Sequence, residues 1–136
     1  MKNTTLTVDD LIGHMAEACR KITAYTAGMD EASFYESPMA MDAVVKNIEI
    51  MGEAANSLLK NFPIFTENEP SIPWRQLYGM RNRLTHGYFD IDKKIVWNTV
   101  AVDIPVIAAA LDEINERHAD RLRMAQLQNR RPGSQK

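Results

Sequence analysis

Apolar residues return along most of this chain at alternating steps of three and four, the spacing that draws one stripe down a helix. Thr7-Val8-Asp9-Asp10 has the form of a capping box, with a short acid in the place of the usual Glu. Behind it Leu11, Met15, Ala18, Ile22 and Tyr25 form one stripe, closed by Gly28. Cys19 lies beside that stripe as a small buried residue, and His14 adjoins it as a satisfied edge residue. Ser37-Pro38 supplies a cap and an N1 proline for a second helix. Its stripe is Met41, Val44, Val45, Ile48, Met51, Ala55, Leu58 and Leu59, and it stops at Asn61-Phe62-Pro63. Pro63, Pro70 and Pro73 bracket a polar connection that carries Glu67 and Glu69. A shorter third helix opens at Ser71-Ile72-Pro73-Trp74, turns Trp74, Leu77, Met80 and Leu84 inward, and loosens near Gly87. Asp90 or Asp92 caps a fourth, with Ile95, Val96, Val100, Ile104, Ile107, Leu111 and Ile114 on its inner face. Pro105 removes one backbone bond there and predicts a kink, because the periodicity continues on both sides.

No stretch alternates with period two, and no hairpin dipeptide appears. The expected fold is all-α: an up-and-down bundle of four main helices, with a fifth short turn around Asp30 to Phe34. The second helix, about 36 Å long, outruns the third, so a wide apolar face is left and dimerisation through helix faces is expected. The eight methionines suit either core filling or an adaptable interface.

Composition narrows the class. At 136 residues, 45% hydrophobic, the chain suits one domain. Six Gly, six Pro and one Cys exclude collagen-like and disulfide scaffolds. A lone Cys19, no recognisable signal peptide and an uninterrupted apolar run of only eight residues (Ile104 to Leu111, containing Pro105) predict a soluble cytoplasmic protein that does not enter a membrane. The net charge of −2 hides an asymmetry: residues 1–116 hold 10 bases and 17 acids, and residues 117–136 hold six bases and one acid. The expected division is therefore a helical bundle over 1–116 and a basic helix end and tail over 117–136. Such a body is not a general nucleic-acid binder and gives no reason to expect DNA as a partner. The tail reads as a solvated helix end or as a contact for phosphate or an acidic partner.

Between Gly79 and Asp92 the character changes to Gly-Met-Arg-Asn-Arg-Leu-Thr-His-Gly-Tyr-Phe-Asp-Ile-Asp. Arg81 and Thr85 share a helix face, whereas a regular helix would rotate His86 away by about 140°. Unwinding at Gly87, which tolerates positive φ, would let His86 and Tyr88 fold back toward Arg81. Two readings of the cluster stand. Arg and His near a helix end cap carbonyls and answer the dipole. Alternatively, the cluster handles phosphate: Arg81 can clamp it and stabilise developing charge, His86 can transfer a proton near neutral pH, and Tyr88 can stack or donate. RNA cleavage by a 2′-OH needs both a base and an acid, and one histidine per cluster makes a symmetric dimer the natural source of both. His86, Asp90 and Asp92 form a weaker metal-site reading; no metal or other cofactor is expected. No Walker loop, nucleophile elbow or Cys/His metal spacing occurs in the sequence.

Arg81-Asn82-Arg83-Leu84-Thr85-His86-Gly87-Tyr88 resembles the Arg-x4-His-x-Tyr signature of HepT-like proteins, the toxin half of the MNT/HEPN toxin–antitoxin modules. Asp42 to Ala55, Ile72-Pro73-Trp74-Arg75 and Ile95-Val96-Trp97 are similar to segments of that family, so the resemblance spans roughly residues 7 to 115. It implies a HEPN-like bundle, a homodimer with a composite cleft, and metal-independent endoribonuclease activity. Arg81 and His86 would be the catalytic pair, supported by Asn82, Arg83 and, orienting Arg81 from the second helix, Glu53. A separate nucleotidyltransferase antitoxin would attach AMP to Tyr88, adding bulk and negative charge to the cleft, and could join the toxin in a larger hetero-oligomer. The alternative is a non-catalytic helical module that serves as partner or substrate of that nucleotidyltransferase.

Overall fold

The computed structural model describes residues 6–86 and 90–129, with Arg81, Thr85, His86 and Asn129 described through their backbone alone. Gly87, Tyr88 and Arg130, Arg131 and Lys136 of the tail thus lie outside the described residues.

Helix α1 (Val8–Tyr25) begins with the expected box: the Thr7 hydroxyl accepts from the Asp10 amide at 3.1 Å, and the Asp10 carboxylate accepts from the Thr7 amide at 3.0 Å. Its buried face holds Leu11, Met15, Ala18, Ile22 and, as expected, Cys19, and is widened only by Ile12. One expectation fails here: Tyr25 is 44% exposed, since the chain turns at Thr26 and the stripe ends at Ile22, while His14 is exposed at the edge of the stripe. Gly28, at φ +77°, makes the turn that leads away. The short extra helix is present as α2 (Glu31–Tyr35), capped by Asp30 and Ser33, and it buries Phe34 against Trp97 at 5.4 Å.

Helix α3 (Pro38–Asn61) is the central element, capped by Ser37, and packs against α1 on one side and α5 (Trp74–Leu84) on the other. Polar Asn47 is buried within it and donates to the Ala43 carbonyl at 2.8 Å, which satisfies its amide along its own helix. The proline-bracketed segment is not the polar loop expected from sequence. It folds into α4 (Pro63–Glu67), and Thr66 and Glu69 are buried. The reason is that α7 (Ile104–Asn129) crosses this end of the bundle: Arg117 donates to both Glu69 carboxylate oxygens at 2.9 and 2.8 Å, and Trp74 Nε1 donates to the Glu69 carbonyl at 3.0 Å. A proline-rich stretch reads as solvated only until its partners are known.

Helix α5 (Trp74–Leu84) buries Trp74, Leu77, Met80 and Leu84, as its spacing predicts. The chain then makes a feature that period-two patterning could not reveal, a minimal antiparallel pair of β1 (Thr85–His86) and β2 (Asp90–Ile91), with Thr85 opposite Ile91 and His86 opposite Asp90. Two-residue strands are too short to alternate. They are held instead by the Asp92 amide, which donates to the Leu84 carbonyl at 2.6 Å.

Asp92, of the two candidates, caps α6 (Lys93–Asn98), accepting from the Ile95 amide at 3.2 Å. The helix then widens into a π-turn over Thr99–Asp103 and resumes as α7 (Ile104–Asn129). Pro105 causes this: it has no N–H and would crowd the carbonyl four residues back, so the turn before it opens and Ile104 donates five residues back to Thr99. The expected kink is thus absorbed as a bulge. Lys93–Gln128 is long and apolar enough, by composition, to cross a membrane. Its main apolar face, Val96, Val100, Ile104, Ile107, Leu111 and Ile114, is instead the wall of the core. Residues 120–128 of α7 are exposed throughout. Among the described residues the architecture is all-α apart from the two short strands.

Candidate active site

What places the site is the crossing of α3 and α5. A Cβ on Gly52 would stand 2.8 Å from the Leu77 carbonyl oxygen and 3.7 Å from Tyr78 Cα, so the two helices meet backbone to backbone. Glycine is required at such a distance, and with it the last two turns of α5 lie directly across α3. Met80 and Leu84 anchor those turns in the core, while Tyr78, Asn82 and Arg83 face outward. Met80 is also held from behind: its Sδ lies 3.7 Å from the Thr99 hydroxyl, which donates to the Ile95 carbonyl at 2.8 Å.

A recess of about 220 Å³ opens along this crossing, lined by Glu49, Gly52, Glu53, Tyr78, Gly79 and Asn82. A second, of about 300 Å³, lies on the other side of the Glu49–Glu53 ridge, between α1 and α3, and includes His14, Lys46 and Ser57. The structure therefore brings Asn82 and Glu53, two of the residues expected from sequence, to one recess. Arg83 is exposed beside it without lining it. Glu53 is engaged in an interaction of its own.

Arg81 and His86 fall on different elements. Arg81 belongs to the last turn of α5, one residue before Asn82, and His86 belongs to β1. The helix ends at Leu84, three residues earlier than the loosening expected at Gly87, because the Asp92 amide takes the Leu84 carbonyl and draws the chain into the β1–β2 pair. His86 is consequently on extended backbone, and the helical rotation that would carry it away from Arg81 does not apply. Tyr88 lies outside the described residues. Asp92 is committed to the α6 cap and Asp90 is exposed, which removes the fourth-helix aspartate from the metal reading. Of the other histidines, His118 Nε2 pairs with Asp9 at 2.9 Å, joining α7 to the start of α1.

Residues that sequence reasoning missed are Glu49, Tyr78 and Gly79. Their signal was present: Glu49 precedes Glu53 by one turn on α3, and Tyr78 precedes Asn82 by one turn on α5, so each lies on the face of a residue already singled out.

A model of the family described as ribonuclease HepT-like matches residues 15–114, which takes in α3, α5, both strands and the core part of α7. The chain is 31% identical over 104 residues to "Putative RNase TTE0752" of Caldanaerobacter subterraneus subsp. tengcongensis, covering 76% of this chain and 90% of that protein. It is 33% identical over 108 residues to "Probable ribonuclease HepT" of Thermococcus cleftensis, covering 79% and 94%. A third relative, "Gamma-glutamylcyclotransferase and putative RNase MJ0434" of Methanocaldococcus jannaschii, is 36% identical over 106 residues, 77% of this chain but 46% of that larger protein. No solved structure matches the chain at a significant level. The matched segment stops before the exposed basic end of α7 and contains the whole Arg-x4-His-x-Tyr run. The chain belongs to the ribonuclease HepT-like family.

Proposed function

We propose that the protein is a metal-independent endoribonuclease, the toxin of a toxin–antitoxin pair, with Arg81 and His86 as its catalytic residues. The observation that carries this reading is the Arg81-x4-His86-x-Tyr88 spacing, with Arg81 in the last turn of α5 and His86 in β1, in a chain of the ribonuclease HepT-like family. Arg81 binds the scissile phosphate with two charge-assisted hydrogen bonds and stabilises the charge that develops on its oxygens. His86 accepts the 2′-OH proton as the 2′-oxygen bonds to phosphorus and the bond to the 5′-oxygen breaks. The leaving 5′-oxygen needs a proton, and one His per cluster supplies both steps if two copies meet, so a homodimer is part of the mechanism. Asn82 and Arg83 contact the RNA backbone beside Arg81, and Glu53 orients Arg81 from α3. The acidic body repels RNA everywhere but at this cleft, which makes binding local and salt-sensitive.

Tyr88 is the control point in this reading. A separate nucleotidyltransferase antitoxin attaches AMP to its hydroxyl, placing a phosphate where the substrate phosphate must bind. The pair acts in the cytoplasm, free of membrane and DNA. The test is to express wild type and His86→Ala without the antitoxin. Growth arrest and RNA cleavage that persists in a chelator, both lost in His86→Ala, are expected; equal harmlessness with no cleavage overturns the ribonuclease reading. Intact mass after co-expression reads the modification: an unmodified Tyr88 beside an active antitoxin removes that part.

A further inference from the structure

Two glycines of the α3–α5 crossing differ in what they explain. Gly52 is required by the Leu77 carbonyl at 2.8 Å, but a Cβ on Gly79 would meet nothing within 4 Å. Gly79 sits in the interior of an 11-residue helix, where glycine costs about 1 kcal/mol relative to alanine. Its open side is the recess lined by Tyr78, Asn82, Glu49 and Glu53. Gly13 of α1 has similarly open surroundings, but its groove has no aromatic wall: alanines, Cys19, Thr23 and Asp112 line it with Glu17 and Arg20, which bind each other. At Gly79 the bare backbone adjoins an exposed aromatic ring, an amide and two carboxylates. Tyr78, a large aromatic left 51% exposed, stands at one end, and Asn82 follows it by one turn.

We infer that this recess is a nucleobase subsite: Tyr78 stacks one unpaired base of the RNA against the bare backbone at Gly79, and Glu49 selects guanine. The inference rests on the ribonuclease reading and adds a specificity to it. The recess is smaller than the pockets of about 300 Å³ and more that hold drug-sized ligands, and suits one flat base. Single-stranded RNA is read by stacking on aromatic rings and by hydrogen bonds to the edges of splayed bases. A carboxylate only accepts, so it matches a base edge with adjacent donors, and guanine offers N1–H and N2–H side by side. Asn82 carries both a donor and an acceptor for the remaining edge or the ribose. Because Tyr78 and Asn82 flank Arg81 in sequence on α5, the stacked base is the neighbour of the phosphate that Arg81 holds. An RNA base is favoured over a protein side chain because the recess joins an exposed ring, an amide and a carboxylate at the proposed phosphate site.

The test uses full-length protein in a His86→Ala background and fluorescent single-stranded oligoribonucleotides that differ only in a central G, A, C or U. Binding is thereby measured without cleavage. Tyr78→Ala should weaken binding by about ten-fold or more, the worth of one base–aromatic stack, and Tyr78→Phe should recover most of it. Gly79→Met should block the recess with a similar loss, whereas Glu49→Gln should erase the preference for G with a smaller loss of overall affinity. Equal affinity of all variants for all four oligonucleotides overturns the inference, while cleavage by the His86-containing protein would leave the ribonuclease reading intact. A change of oligomeric state in Tyr78→Ala or Gly79→Met, with RNA affinity untouched, also overturns it and assigns the recess to a protein interface.

Discussion

Gly52 and the carbonyl of Leu77 are so close that a single added carbon, 2.8 Å from the oxygen, would overlap it. The contact is between backbones, so no rotamer can relieve it. It sets the separation of α3 and α5, and with it the placement of Tyr78, Asn82 and the backbone of Arg81 over Glu49 and Glu53.

Gly52→Ala should therefore destabilise the fold despite alanine's better helix propensity. Overpacking of this kind costs about 1–3 kcal/mol, against a propensity gain of about 1 kcal/mol. RNA cleavage should fall further than stability, since α5 must move. Gly13→Ala, at an open position of α1, is the control and should stabilise slightly. Urea unfolding alongside cleavage rates checks both; a Gly52→Ala protein as stable and active as wild type would show that the crossing is slack.

The fork from Arg117 to Glu69 makes a second expectation. Glu69 is 8% exposed, so losing its partner strands a carboxylate. Arg117→Ala should lower the melting temperature, by less than the loss of a fully buried partner would, because Arg117 is half exposed and its charge is screened. Glu69→Gln in the same chain should recover part of the loss. Truncation after Glu116 should cost as much as Arg117→Ala, and truncation after His118 little, because residues 120–128 are exposed. Thermal melting of the four chains distinguishes them.

Cys19 should be inert in the native protein. Burial, with a smaller contribution from the charge of Asp112, pushes its thiol up to about 12, and its Sγ lies 3.9 Å from Met51 Sδ between α1 and α3. The thiolate is the reactive form, so alkylation at pH 8 should follow global unfolding. Labelling as fast as that of a free thiol would mean that α1 opens on its own.

Acid should loosen the molecule from its helix starts. The Thr7 amide holds the Asp10 carboxyl below its ordinary 3.8, and the Ser33 amide does the same for Asp30. Arg20 lowers Glu17, and the Tyr35 hydroxyl lowers Glu31. A carboxyl depressed in the folded state stabilises at pH values above its unfolded pKa and loses that contribution as pH falls through the folded one. Urea midpoints should thus be flat at pH 6 and fall below about pH 4, with a shallower fall in Asp10→Asn. A midpoint that rises on acidification would contradict the sign.

Much of the helix plan was legible because helix caps and stripes are local. Thr7, Ser37 and Asp92 start helices through hydrogen bonds to amides three residues away, and the stripes of α3 and α5 need only the 3.6-residue period. The Arg81-x4-His86-x-Tyr88 run was legible for the same reason, as a spacing. Whatever depended on another element was not. Glu69 looked like a loop residue until Arg117, 48 positions away, came to it. Pro105 announced a disturbance but not its form, a π-turn. The early end of α5 depended on Asp92 reaching back to Leu84. Gly79, indistinguishable from Gly52 in sequence, differs from it only in what lies opposite. Sequence alone thus determined the helical class and the candidate catalytic spacing, both encoded within one or two turns of chain. Tertiary structure decided which glycine is a contact and which an opening, because distances between helices are set by packing across the core.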